Sequence, residues 1–550
     1  MRKELPIGIS NYREVKEHHK YYVVDKSKMI EDFLKSGSKV TLITRPRRFG
    51  KTLNMSMLNE FFDITKDSKD IFKDTYIMQS EYASYINEYP TIFLSFANVK
   101  GNNNELVRHI KLLLRKEFDR FHYIFTKEMS EFQKDEYIKL KEDLFNLEDL
   151  KLYKISNALV FLMDQLYAYY GKRVMVFIDE YDTPFIQAKM NECYDEIKNG
   201  LSEMLHQALK LSNSLQYAML TGIQRVAKEN IFSGLNNLDV YTVRDKQYAS
   251  YFGFTNEEVQ ALLSYYDIPF NEEVKKMYNG YRIGGIEIYN PWSMMNYADT
   301  QELISYWVNT SENLMIKEAM KQSDISFQKE YEQLLQEGSL TTMVRLETSF
   351  YEMSSTASLW GLFVNAGYVT IQEIESERNK LYTLVIPNEE VQDEFQSLTS
   401  SYLEVEDSEL MKLYEALRRK KEEEFRRIYE QLLLKIPSYH DLKSENSYHM
   451  FFVGLCTWFT KEYEIISNEE KGKGRCDIIL KSKDERMSSY VIEMKYTKEE
   501  SDLKQLAEEA IQQIKEKQYD IGLGDDVVYI GMAHYHKEVE IVWEYRLNKR

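Results

Sequence analysis

The sequence predicts an α/β protein in three parts. A parallel sheet layered by helices comes first, a mostly helical middle region follows, and α/β character returns at the carboxyl end in αββα order. Three observations carry this expectation. Short apolar runs alternate with helical periodicity through the first third of the chain. Amphipathic helices dominate from about residue 250 to 430. Dense apolar strands flanked by helices then resume. A chain of 550 residues makes three or four domains of roughly 100–200 residues, and we place them at 1–250, 251–434 and 435–550.

Composition narrows the class. The 43% apolar content, with 42 Tyr and 27 Phe, supplies several cores, while 8 Pro and 21 Gly argue against long disordered tracts. Lys and Arg total 71 against 89 Asp and Glu, a net charge of −18. That excludes a surface positively charged throughout, so any polyanion contact is a local patch. Cys193, Cys456 and Cys476 are too far apart for a CxxC metal site or a disulfide framework. The opening MRKELPIGIS lacks a signal-peptide core, and no apolar run approaches the ~20 residues needed to span a bilayer. The expected location is cytoplasmic, with no membrane partner.

The first sheet is read from four buried runs, Lys39–Thr44, Thr91–Phe96, Val174–Ile178 and Gln216–Leu220. Between the first two, Leu53, Met57, Leu58, Phe61 and Phe62 recur at helical spacing. Strands separated by helices pair in parallel. In the middle region, Gly284-Gly285 centres a hairpin over Tyr281–Tyr289. An apolar helix at Leu359–Ala366 precedes two strands, Tyr368–Ile374 and Leu381–Ile386, and Asn388 caps the next helix. Helix, hairpin and helix fit either a winged-helix module or a connector bearing a hairpin. Leu417–Leu434 mixes charges at helical spacing and reads as a solvated helix rather than a basic arm. Toward the end, a helix at Tyr448–Phe459 precedes strands at Glu462–Ser467, Arg475–Lys481 and Tyr490–Tyr496, then a helix at Ser501–Tyr519.

Two constellations carry chemistry. After the first strand stands Arg45-Pro-Arg-Arg-Phe-Gly-Lys-Thr52. A phosphate-binding loop reads G-x-x-x-x-G-K-[ST], because backbone N–H groups and a helix N-terminus wrap the phosphates, the lysine reaches them and the hydroxyl holds Mg²⁺. Gly50, Lys51 and Thr52 fit, Arg47 and Arg48 lie within the loop, and Arg45 occupies the first glycine position. The strand Val174–Ile178 ends in Asp179-Glu180, one carboxylate for the Mg²⁺ shell and one to activate water. Beyond Leu220, Thr221 either senses the γ-phosphate or starts a turn, and Arg225 either neutralises that phosphate or pairs with a surface acid.

These segments, with Phe177–Asp182, Leu220–Ile223, Phe232–Asn237, Tyr278–Tyr281 and Tyr289–Ser293, resemble the bacterial AAA-ATPase-like family over about residues 5–310. That family is similar to archaeal-type and STAND-related P-loop ATPases. The resemblance implies a P-loop NTPase sheet with Mg-ATP at Lys51, Thr52, Asp179 and Glu180. Tyr281 and Trp292 are read as packing residues.

In the second constellation, Asp477 lies in Gly474–Leu480, and Glu493 and Lys495 lie in Val491–Tyr496. Period-two geometry sets Glu493 and Lys495 on one face, which Asp477 reaches across a hairpin. Two carboxylates and an ammonium there suit Mg²⁺-dependent phosphodiester hydrolysis, with the lysine orienting or deprotonating water. An exposed cross-strand ion pair is the alternative. Glu445 opens the preceding helix, and Lys471, Lys473 and Arg475 form a basic lip beside Asp477. Over residues 435–545 this pattern resembles the PD-(D/E)XK nuclease superfamily, with its restriction-endonuclease-like fold. The resemblance implies metal binding at Asp477, Glu493 and Glu445, catalysis by Lys495, and substrate contacts from Gln513 and Tyr519. Lys473 and Arg475 are placed with them against nucleic acid.

The expected function is an ATPase fused to a Mg²⁺-dependent nuclease, with ATP regulating cleavage of nucleic acid, DNA ahead of RNA. A homo-oligomer is left open. One rival is a nucleotide-gated signalling or binding protein without nuclease activity. Another keeps the nuclease but binds ATP without turnover.

Overall fold

The computed structural model describes residues 2–126, 129–226, 237–307, 313–321, 323–348, 355–402, 405–435, 445–459, 462–498 and 502–546. The chain falls into two compact units, Met1–Ile316 with Thr341–Val391, and Lys317–Leu340 with Gln392–Arg550. No helix among the described residues is long and apolar enough to cross a membrane.

The first unit is built on β1 (Val40–Thr44), β2 (Thr91–Ser95), β3 (Val174–Asp179), β4 (Leu215–Gly222) and β6 (Leu238–Tyr241). A two-residue strand, β5 (Arg225–Val226), intervenes in sequence. The sheet runs β2-β3-β4-β1-β6, all parallel. The four expected strands are therefore present, and β6 is an addition. Every residue of β1 and β3 is buried, because helices cover both faces. That is why these strands read as unbroken apolar runs instead of alternating ones. β4 lies between β1 and β3, so the ends of three strands converge at one sheet edge.

Also in this unit, β7 (Tyr281–Ile283) and β8 (Ile286–Ile288) form the expected hairpin, with Gly284 and Gly285 at φ +59° and +83°. β12 (Leu381–Val385) lies between β11 (Thr370–Ser376) and β9 (Ser339–Met343, of which Thr341–Met343 belong to this unit) in a three-stranded sheet. β10 (Glu347–Thr348) ladders with β5. The helix Thr356–Ala366 precedes β11, and the Asn388 side chain accepts the Val391 N–H at 3.0 Å as the predicted cap.

The second unit carries a mixed sheet of β13 (Tyr463–Lys471), β14 (Gly474–Ser482), β15 (Ser489–Tyr496), β16 (Val527–Tyr535) and β17 (Glu538–Tyr545), in that spatial order. β15 and β16 are parallel, joined through the helix Leu503–Lys517. The last two strands were not anticipated. The helix covers Ile479, Val491, Val527 and Tyr529 on one face. On the other face Ile478, Leu480, Ile492, Met494 and Ile530 join Phe425, Tyr429, Phe452 and Leu455 in the larger core.

Leu417–Leu434 is not one solvated helix. Asp407–Arg418 ends, the chain turns through Lys420 at φ +54°, and Glu422–Lys435 begins. The second helix buries Phe425, Ile428, Tyr429, Leu432 and Leu433, so its charges cover only the outer stripe.

Candidate active sites

At the edge of the first sheet, β1 turns through the loop into the helix Lys51–Phe62, with Gly50 at φ +82° as its N-cap. Arg48 also lies in the left-handed region, at φ +65°. Asp179, fully buried at the end of β3, accepts from three hydroxyls. They are Thr52 Oγ1 at 2.8 Å, Thr221 Oγ1 at 2.8 Å and Ser95 Oγ at 3.3 Å. Asp179 thus ties the helix Lys51–Phe62, through Thr52, to the neighbouring strand β4, through Thr221. Burial pushes the Asp179 carboxyl up, and the neighbouring Glu180 charge adds to this. Lys51 is 5% exposed and donates Nζ to the carbonyls of Arg45 (3.0 Å) and Pro46 (2.8 Å).

Glu180, at φ +52°, opens onto a cavity of about 270 Å³ with Arg47, Arg48, Gly50, Lys51 and Thr52. Its carboxylate accepts from Thr183 Oγ1 at 3.1 Å. The cavity continues along apolar side chains including Ile9, Val24, Phe254 and Trp292.

Arg48 and Arg225 each have a partner within the protein. Arg48 donates to the Tyr306 carbonyl at 2.8 Å, and its guanidinium lies 4.7 Å from the centre of the Trp292 ring. A planar cation finds both a π-face and an acceptor there, so Trp292 is more than packing. Arg225 ion-pairs with Glu347 at 2.5 Å, the surface-acid alternative. Tyr281 is buried, edge-on to Phe49 at 5.0 Å.

Asp182 had no assigned role. It is buried and accepts the amides of Ile223 (2.9 Å) and Gln224 (2.7 Å), fixing the turn after Thr221. Burial raises its pKa to about 6. Its place in Asp179-Glu180-Tyr181-Asp182 was the available signal. Residues 232–236 of the expected motif lie outside the described residues.

The second constellation forms where the β14–β15 ladder ends, at Ile478 opposite Ile492. Asp477 Oδ2 accepts the Met494 N–H at 2.7 Å, and Glu493 Oε2 lies 3.5 Å from the Asp477 N–H. Lys495 Nζ is 3.5 Å from Glu493 Oε1, while Ile492 and Met494 face the opposite core, as alternation requires. Glu493 is 3% exposed. Burial pushes both carboxyl groups up, Glu493 to about 8 with the Asp477 charge contributing. With Glu493 buried and Asp477 half-buried beside it, joint ionisation is disfavoured unless a cation joins them.

Gln513 lies against both Lys495 and Glu493, with Tyr519 beside it. Lys495 Nζ donates to Gln513 Oε1 at 2.5 Å, and Gln513 Nε2 donates to Glu493 Oε1 and, at 3.4 Å, to the Tyr519 hydroxyl. One amide thus spans the carboxylate and the ammonium. Lys471 and Lys473 flank Gly472 (φ +61°) at the β13–β14 turn, and the Lys473 N–H bonds the Lys517 carbonyl at 2.7 Å. Arg475 follows on β14 and is exposed. Glu445 is the first residue of the helix Glu445–Cys456, but its side chain lies outside the described residues. On the same helix His449 Nε2 lies 3.1 Å from the Asp477 carbonyl.

Among the described residues no group of three or more His, Cys, Asp or Glu side chains is placed to hold a metal alone. The donor set still fits Mg²⁺, which is bound through one or two carboxylates and completed by water and substrate phosphate.

Comparison with known proteins agrees with both halves. A protein from the vnfD 5′ region of Azotobacter chroococcum mcd 1, itself uncharacterised, is 28% identical over 396 residues, covering 71% of this chain and 68% of its own length. Residues 6–232 match the family model of predicted AAA-ATPases, and residues 443–544 match that of the PD-(D/E)XK nuclease superfamily. The chain is therefore similar to predicted AAA-ATPases over its amino-terminal part and to the PD-(D/E)XK nuclease superfamily over its carboxyl-terminal part.

Proposed function

We propose that the protein is an ATPase and a Mg²⁺-dependent nuclease in one chain, with nucleotide occupancy regulating phosphodiester cleavage of nucleic acid. The observation that carries the reading is the gathering of Asp477, Glu493 and Lys495 at the end of one ladder, with Gln513 bonded to both Lys495 and Glu493. A buried Glu493 set against a half-buried Asp477 has no packing purpose and is costly without compensating positive charge.

When bound between Asp477 and Glu493, Mg²⁺ would supply Lewis-acid polarisation of the scissile phosphate and a more acidic water. Lys495 would orient that water through one of its N–H groups, and Gln513 would keep the ammonium from collapsing onto Glu493. Lys471, Lys473 and Arg475 would hold flanking phosphates. In the first unit, Lys51 and the N–H groups at Gly50 would take the nucleotide phosphates. Thr52 and Asp179 would hold Mg²⁺, and Glu180 would accept a proton from water. Thr221 would read the occupant through its hydrogen bond to Asp179.

Metal-dependent digestion of plasmid DNA and of RNA by the purified protein tests this. Asp477→Ala should abolish cleavage, by at least ~10³-fold, while phosphate release from ATP continues. Undiminished cleavage by that variant would refute the nuclease assignment.

A further inference from the structure

The residue at the first glycine position of the phosphate loop is itself unusual. Arg45 is 0% exposed. Its NH1 group donates to the carbonyls of Thr44 (2.8 Å) and Tyr241 (3.3 Å), and the guanidinium lies 5.6 Å from the Phe252 ring centre. Nε and NH2 have no hydrogen-bond partner. Asp245 is the acid whose charge acts on it, yet that carboxylate is bonded to Thr242. Burial lowers the Arg45 pKa to about 10, which leaves the group charged at neutral pH. Its own carbonyl accepts from Lys51 Nζ, so two buried cations share one loop.

A buried cation with unsatisfied N–H groups is destabilising until a negative charge arrives nearby. We propose that Arg45 is a nucleotide-affinity residue: a charge stored beneath the phosphate loop, whose cost in the empty protein is recovered when a polyphosphate enters. This inference rests on the reading of the loop as an ATP site. It replaces the backbone flexibility of a glycine with a long-range field, and fields act on charge instead of shape. The contribution should therefore grow with the number of phosphate charges on the ligand.

The test begins with binding of ATP, ADP and adenosine to the full-length wild type. No ATP binding there would remove the loop assignment itself, and the Arg45 proposal with it. Given binding, Arg45→Met keeps the aliphatic stem and removes the charge. Its melting temperature without nucleotide should rise, while its ATP affinity falls roughly tenfold, its ADP affinity falls less and its adenosine affinity holds. Equal losses for all three ligands, or none, would overturn the proposal and leave Arg45 a packing residue. A second measurement needs no variant. Inorganic tripolyphosphate should raise the melting temperature of the wild type, since the stored charge asks only for an anion. A protein that responds to ATP but not to tripolyphosphate overturns it as well.

Discussion

Glu390 shows how a single carboxyl can bind a loop together. It is fully buried and accepts from Ser293 Oγ at 2.8 Å and from the amides of Tyr306 and Trp307 at 2.8 and 2.9 Å. It thereby holds the segment whose Tyr306 carbonyl receives Arg48. Burial raises its pKa from 4.5 to about 7. A raised carboxyl favours the protonated folded state, so its contribution is complete below about 4.5 and is lost as pH climbs through about 7. Glu390→Gln should flatten the pH dependence of thermal stability across that window by up to ~3 kcal/mol. A melting curve series from pH 4.5 to 7.5 decides it, and an unchanged slope would count against the assignment. At this scale the sequence was most legible for Asp179, Asp477, Glu493 and Lys495, whose identity and strand phase are local properties. It was least legible for Arg48 and Arg225, because the partners of a long cation lie far away in sequence, here Trp292 with Tyr306, and Glu347.

At the scale of elements, local patterns located the strands that matter for chemistry, while pairing had to come from the fold. Val40–Thr44 and Val174–Asp179 are buried throughout and mostly apolar, and needed no partner to be recognised. Val527–Tyr535 is equally buried but ends in Gly531, Ala533 and His534, whose small or polar character masks it. Gly531 has a reason to be small. A Cβ there would lie 2.1 Å from the Ala507 carbonyl, so the helix Leu503–Lys517 rests directly on strand backbone. Gly531→Ala should cost the second unit about 1–3 kcal/mol, readable by urea unfolding followed through Trp543 fluorescence. Since that helix carries Gln513 to Lys495, the same substitution should lower cleavage. Wild-type stability in the variant would mean that the helix and strand part more easily than this contact implies.

For the molecule as a whole, each unit holds one charged site where strands end, and regulation of one by the other is tested by disabling the first. Lys51→Ala removes the ammonium held over the Arg45 and Pro46 carbonyls without touching the second unit. We expect it to suppress ATP turnover by ~10²-fold or more and to remove any ATP effect on cleavage, leaving basal metal-dependent cleavage intact. ATP stimulation that survives in this variant would separate the two activities. Composition anticipated this scale only in outline: a chain of net charge −18 leaves only local patches for a polyanion, and Lys471, Lys473 and Arg475 lie close in sequence to Asp477.

The course of the chain has a practical corollary. Residues 317–340 belong with the carboxyl-terminal body, residues 341–391 return to the amino-terminal one, and only then does the chain leave for good. Within the later body, Tyr331 bonds Thr399, and Phe425 and Tyr429 pack on Phe452 from helices upstream of residue 436. A truncated clone starting near residue 435 would strip away those covering side chains and leave sticky aromatic surface behind. Insolubility of such a fragment would say nothing about catalysis, so the division of labour has to be mapped by point substitution in the intact polypeptide.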